Sequence, residues 1–202
     1  KYREVIERLR ACEDKEIRNK IKRTELPCAT ISASFTSRAS SKAVEEKLKR
    51  YNSLMVLDFD NLEDPAAAKE ELSQLPFFWY IGLSVGGKGL FGIVPLGTDD
   101  FKEHKVYFNA LRKELEVFGY EVDKACCDVT RLRVVSYDPD AFFNENCEVF
   151  CIDEREEDDG EVYSSGPVPE RAQDRSSRIE LYVLEWEKRH VPLDDYQDWM
   201  TV

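Results

Sequence analysis

Apolar residues recur at helical spacing at the start of the chain and then give way to short unbroken runs. Ile6, Leu9, Ile17 and Ile21 form a stripe through an otherwise charged segment, which predicts one or two polar helices over residues 2–23. Leu26-Pro27 ends them, because a residue that precedes proline is steered out of the helical region. CATISASF (28–35) has the composition of a strand, a Ser/Thr/Arg loop follows at 36–41, and Ala43 to Tyr51 reads as helix. SLMVLDF (53–59) is a compact apolar run, read as a buried strand. Asp64-Pro65 then opens a helix that runs to about Leu75, with Asp64 as its cap and Pro65 in its first turn.

Two aromatic and β-branched runs follow, FFWYIGLS (77–84) and LFGIVPL (90–96), joined by the glycine loop VGGKG (85–89). Asp99 to Phe118 carries Phe101, Val106, Phe108, Leu111, Leu115 and Phe118 on the expected apolar face of a long helix. RLRVVSY (131–137) is strand again. Residues 53–137 therefore read β-α-β-β-α-β. This predicts an α+β domain with a ferredoxin-like or RNA-recognition-motif-like antiparallel sheet, both helices on one face, and a helical and strand extension at the N-terminus. One domain is expected over 1–150, followed by an acidic linker at 151–178 that holds Gly166-Pro167 and Pro169. Ile179, Tyr182, Val183 and Trp186 mark a short amphipathic helix at 178–190. Residues 179–202 read as the start of a C-terminal helical segment that is cut short, so a longer parent protein is expected.

Charge changes the picture only after it is divided. The net charge of −12 argues against a nucleic-acid binder. Residues 1–150, however, carry 23 basic against 26 acidic side chains, while 151–202 carry 6 against 15. The acidity belongs to the tail. No apolar run approaches the roughly eighteen residues that span a bilayer, and KYREVIERLR is not a signal peptide, so no membrane partner and a cytoplasmic location are expected. The six cysteines form no CxxC pair; Cys147 and Cys151 are spaced loosely like ligands, but reduced thiols without a metal are the expectation.

Three strings carry candidate chemistry. Asp58-Phe59-Asp60 ends a buried strand, so its two carboxylates share one face and Phe59 takes the other. Carboxylates held together repel unless a cation lies between them, and magnesium or manganese suits all-oxygen ligands. Capping of the following turn would explain the same residues. Ser84-Val85-Gly86-Gly87-Lys88-Gly89 is a strand–loop–strand that lets backbone N–H groups and Lys88 approach an anion; a plain hairpin turn is the alternative. Asp128 precedes a strand whose Arg131 and Arg133 share a face as a phosphate fork, unless they serve an internal salt bridge to Asp128.

Together, LDFD, S-x-G-G-K-G-L and D-x-x-R-x-R-x-x-SYDPDAFFN resemble the primase-polymerase branch of the archaeo-eukaryotic primase superfamily. More closely they resemble the VirE-type N-terminal domain of mobile-element and phage-like primase–helicase proteins of Bacteroides-type bacteria. The resemblance covers roughly residues 15–150, with ELPCATISASF similar to the family's entry segment and SYDPDAFFN its most specific piece. It implies a nucleotidyltransferase in which Asp58, Asp60 and Asp128 hold two Mg²⁺ or Mn²⁺ ions and are catalytic. Ser84, Gly87, Lys88, Gly89, Arg131 and Arg133 would then bind phosphates. Implied partners are a nucleoside triphosphate, a single-stranded DNA template, and a C-terminal helicase or primase-associated helical domain in the same full-length chain; DDYQDWMTV resembles the start of such a helical domain. One departure stands out. Active members of the superfamily place a histidine in the second motif, where this chain has Phe91 or a neighbour, and His104 is expected to be an ordinary surface residue of the long helix. The second reading is therefore a catalytically inactive module of the same fold that binds nucleic acid or a protein partner. A third, a small-molecule sensor, rests on fold analogy alone.

Overall fold

The computed structural model describes residues 1–39 and 43–152. The acidic linker beyond residue 152 and the terminal helix lie outside the described residues. The charged N-terminal segment folds as a helical pair, α1 (Arg3–Ala11) and α2 (Lys15–Thr24), with the Asp14 carboxylate accepting the Glu16 and Ile17 N–H groups at the start of α2. Ile6, Leu9, Ile21 and Leu26 bury together with Val85 of the glycine loop, so the pair is fastened to the middle of the chain.

CATISASF splits into β1 (Cys28–Thr30) and β2 (Ala33–Phe35), which pair with different strands. The expected helix over 43–51 shrinks to one turn, α3 (Val44–Lys47), and Leu48–Tyr51 is a strand, β3, antiparallel to β2. Leu48 and Tyr51 pack against Ala33, Phe35, Val44 and Val129 from β3, and that tertiary packing overrides local helix propensity.

The central sheet follows the sequence reading closely. It contains β4 (Leu54–Phe59), β5 (Tyr80–Leu83), β6 (Leu90–Pro95) and the short β8 (Phe142–Phe143), in the order β4-β6-β5-β8 with every pairing antiparallel. α4 (Pro65–Leu72), capped by Asp64, and α5 (His104–Val117) supply Ala68, Leu72, Phe108, Leu111 and Leu115 to one face, where they meet Met55, Leu57 and Phe59. The fold is α+β, with both helices on that face. Val106 and Phe118, expected on the apolar side of α5, instead point outward and are half exposed; Tyr107 and His104 are buried in their place. The opposite face of the sheet carries Leu54, Val56, Trp79, Phe91 and Ile93.

One departure from the ferredoxin arrangement positions the site. The arginine strand, β7 (Leu132–Val134), does not enter the central sheet; it pairs with β1, Ala29 opposite Arg133. A strand that carries an arginine, and follows directly on another, is costly to bury inside an apolar sheet. β7 passes over the face opposite the helices, where Arg133 finds a carboxylate, and β8 takes the edge beside β5.

Candidate functional site

Alternation along β4 decides where the first acid points. Met55, Leu57 and Phe59 enter the helical core, so Asp58 lies on the opposite face, only 9% exposed. Asp60 follows the strand and is exposed, with no hydrogen bond or ion pair among the described residues. Arg133 Nη1 is in contact with Asp58 Oδ1, and the Arg133 guanidinium lies 3.9 Å from the centre of the Phe91 ring. Burial pushes that guanidinium down to about 9, which leaves it charged at neutral pH. Phe91, at or next to the position where the resemblance expects a histidine, thus lies against an arginine.

The third acid beside Asp58 is Asp123. Its N–H donates to the Asp58 carbonyl at 3.0 Å, and its carboxylate accepts from Arg131 Nη2 at 2.7 Å; the same nitrogen is 3.6 Å from Asp58 Oδ2. Asp58, Asp123 and Cys126 bring ligand atoms within 4.8 Å of one another. Asp128 is not in this group. Its Oδ1 accepts from the Thr130 N–H and hydroxyl at 2.8 and 2.9 Å, and its charge acts on His104. The arginines do make internal salt bridges, but to Asp58 and Asp123. Only the position of Asp123 just ahead of the Lys124–Cys127 turn, which it caps, hinted at its role.

These donors do not fit a two-ion site in the arrangement the chain adopts. Both Asp58 oxygens face arginines, and two arginines already balance two carboxylates. The remaining donor, the Cys126 thiol 3.7 Å from Asp58 Oδ2, is pushed up to about 12 by burial, so it stays protonated, and it is soft where magnesium prefers oxygen.

The glycine loop abuts the end of β4. A β-carbon on Gly89 would lie 2.3 Å from the Phe59 carbonyl oxygen and 3.3 Å from the Asp60 Cα, so only glycine lets the loop pass this close. Gly87 has a φ of +73°, which closes the turn as its N–H donates to the Ser84 carbonyl. The Ser84 N–H in turn donates to the Gly89 carbonyl. Lys88 is exposed and forms no ion pair among the described residues. Arg10 of α1 was not legible in the sequence. It donates to the carbonyls of Ser84 (3.1 Å), Val85 (3.4 Å) and Tyr137 (2.8 Å) and to the Ser136 hydroxyl (3.4 Å).

His104 is a correction to the surface role expected of it. It is 2% exposed, its Nδ1 is 2.9 Å from the Tyr51 hydroxyl, and its Nε2 has no partner. Burial pushes it down to about 4 against the opposing pull of Asp128, so it is a neutral core group.

No curated protein and no solved structure matches the chain. The family model of the BT4734-like N-terminal domain matches residues 21–143, a span that contains β4, the glycine loop, Asp123 and the arginine strand, and the chain belongs to that family.

Proposed function

We propose that this domain is a primase-type nucleotide-binding module of a mobile-element replication protein, one that receives the phosphates of a nucleoside triphosphate beside the glycine loop. The observation that carries the reading is the convergence of the end of β4, the loop 84–89 and the arginine strand, three segments far apart in the chain. The loop passes against Asp60, and Arg133 reaches Asp58. Lys88 is exposed at the loop tip, and Arg133 lies over the Phe91 ring at the side. In this reading the arginines neutralise the carboxylates, and the module binds without metal-dependent transfer. The single-stranded DNA template and the helical or helicase partner in a longer chain belong to the same proposal.

A second reading, two-metal nucleotidyl transfer, is favoured by Asp60, an exposed carboxylate two residues from Asp58 with no ion pair among the described residues. It requires Arg131 to leave Asp58. Isothermal titration with a nucleoside triphosphate, with and without Mn²⁺, separates the two. The first reading expects binding that Mn²⁺ does not change and no primer synthesis. Binding only with Mn²⁺, together with incorporation that is lost in Asp60→Ala, would establish the second reading instead. No binding under either condition would remove both.

A further inference from the structure

We propose that helix α2 forms one wall of the phosphate site, with Arg18 and Lys22 binding the terminal phosphates of the polyphosphate chain beside Lys88. This inference rests on the nucleotide-binding reading and deepens it. Arg18 and Lys22 stand four residues apart on α2 and so share a face of the helix. That face turns toward the loop: a β-carbon on Gly86 would lie 2.9 Å from Arg18 Nη2, so the guanidinium rests against the loop backbone. Arg10 lies on the next residue in the same manner, its Cδ 3.1 Å from a β-carbon on Gly87. Lys22 stands one turn further along the same helix, is half-buried, and feels the charges of Arg18, Asp60 and Arg133.

The charge balance at this point is unfavourable without a ligand. Burial is the largest influence on Lys22 and lowers it, and Arg18 and Arg133 add to that; only Asp60 acts the other way. Asp58 is already committed to Arg133. Neither Arg18, Lys22 nor Lys88 makes a side-chain hydrogen bond or ion pair among the described residues. Like charges at i and i+4 destabilise a helix, and half-burying them adds to the cost. A site that keeps such an arrangement is paying stability for binding. Two or more anionic oxygens at phosphate spacing would satisfy Arg18, Lys22 and Lys88 at once. A nucleoside's base or sugar would not. Arg18 precedes the first residue of the family match and Lys22 lies just inside it, so the wall straddles the start of the matched segment.

The test uses the whole chain, free of divalent ions, titrated with inorganic triphosphate, a nucleoside triphosphate and a short single-stranded oligonucleotide. The variants are Arg18→Ala, Lys22→Met and the charge-preserving Arg18→Lys, beside Lys49→Ala/Arg50→Ala, which removes two exposed charges of β3 as a control. Wild type should bind both triphosphates. Arg18→Ala and Lys22→Met should each weaken binding roughly tenfold or more, while Arg18→Lys and the control stay within about twofold to threefold. Melting without ligand supplies the readout that a merely structural role would not give. Lys22→Met should melt at or above the wild-type temperature, because it relieves repulsion, yet lose the stabilisation that triphosphate confers. Wild-type binding that the α2 variants leave unchanged would overturn this inference and leave the nucleotide reading standing. A loss of binding in Lys22→Met accompanied by a lower melting temperature would overturn it as well. Failure of wild type to bind either triphosphate would bring down both, and binding of the oligonucleotide alone would move the ligand to a nucleic-acid backbone.

Discussion

Replacing Asp58 by alanine tests the site at its most constrained point. Asp58 and Arg133 are each 13% exposed in their side chains, so the pair is close to fully desolvated. Removing the carboxylate leaves the guanidinium over Phe91 without its ion-pair partner and with its Nε already unpartnered. Breaking a buried ion pair from one side costs about 3–5 kcal/mol, because the surviving charge keeps its desolvation penalty. The lower end applies here, as a small part of the pair reaches water. At a urea m-value of about 2 kcal/mol/M, a loss of about 3 kcal/mol moves the unfolding midpoint down by about 1.5 M. Asp58→Ala/Arg133→Met removes both charges and keeps an apolar side chain against the Phe91 ring; it should recover to within about 1 kcal/mol of wild type.

The assay is urea denaturation followed by tryptophan fluorescence on wild type, both single variants and the double variant, read as a double-mutant cycle. A coupling of about 2 kcal/mol or more is expected. If Asp58→Ala unfolds within 1 kcal/mol of wild type, or the double variant is no more stable than Asp58→Ala, the pair is not desolvated as described. Arg133 would then not be the cation that neutralises Asp58. The same measurement guards against misreading an inactive Asp58→Ala protein as evidence for catalysis.

Other predictions follow from the same geometry. His104 falls from an ordinary 6.5 to about 4 in the fold, so the unfolded chain takes up its proton first. Its stabilising contribution is complete above pH 6.5 and is lost as pH falls toward 4. Lowering pH from 7 to 5 should cost roughly 2 kcal/mol in urea unfolding, and His104→Gln should flatten that slope. If the slope survives the substitution, the burial assigned to His104 is wrong. Gly89→Ala meets the Phe59 carbonyl, which cannot swing aside, and should cost about 2 kcal/mol, read as a melting shift of about 5 °C. Gly86→Ala meets only the tip of Arg18 and should melt close to wild type; equal losses at both glycines would remove the argument for close backbone approach.

Local patterns were legible wherever the chain itself set them. The Asp64 cap, the alternating faces of Leu57, Asp58 and Phe59, and the spacing of Phe108, Leu111 and Leu115 all needed only neighbours in sequence. What escaped depends on distant partners. Nothing within RLRVV says that Ala29 will sit opposite Arg133, and nothing around Leu48 outweighs its helical neighbours until β2 is beside it. His104 looked like a surface residue because its flanks are charged, whereas Tyr51 on another strand draws it inward. Spacing to the arginine strand pointed to Asp128 and passed over Asp123. The Asp123 N–H bond to the Asp58 carbonyl selects one, and Thr130 folds back on the other.

The string SYDPDAFFN, on which the resemblance leans most, acts in this structure as a brace and supplies no reacting group. The Ser136 hydroxyl donates to the Leu83 carbonyl at 2.5 Å, and the Asp138 carboxylate accepts the Leu83 N–H at 2.9 Å, so both polar groups of the last β5 residue are held from the same segment. Asp138 also takes Lys69 of α4 at 2.9 Å and the Asp140 N–H at 3.1 Å, with its side chain 2% exposed. Burial alone would raise that carboxyl; Lys69 and the two N–H groups outweigh it and hold it below the ordinary range. Two residues further on, Phe142 and Phe143 pair with Ile81 and Tyr80 and fasten the same strand again. Arg10 completes the frame by bonding both the loop start, at Ser84, and the brace, at Tyr137. Residues 83–85 are thereby fixed from several sides, while Gly86 and Gly87 meet Arg18 of α2 and Arg10 of α1. Fixing the root of a loop lowers the entropy lost when its tip closes on a ligand, which is how a short, glycine-rich segment can hold phosphate at useful affinity. The string thus reaches α4, β5 and α1 together, and the phosphate binding proposed above would fall to the elements it holds.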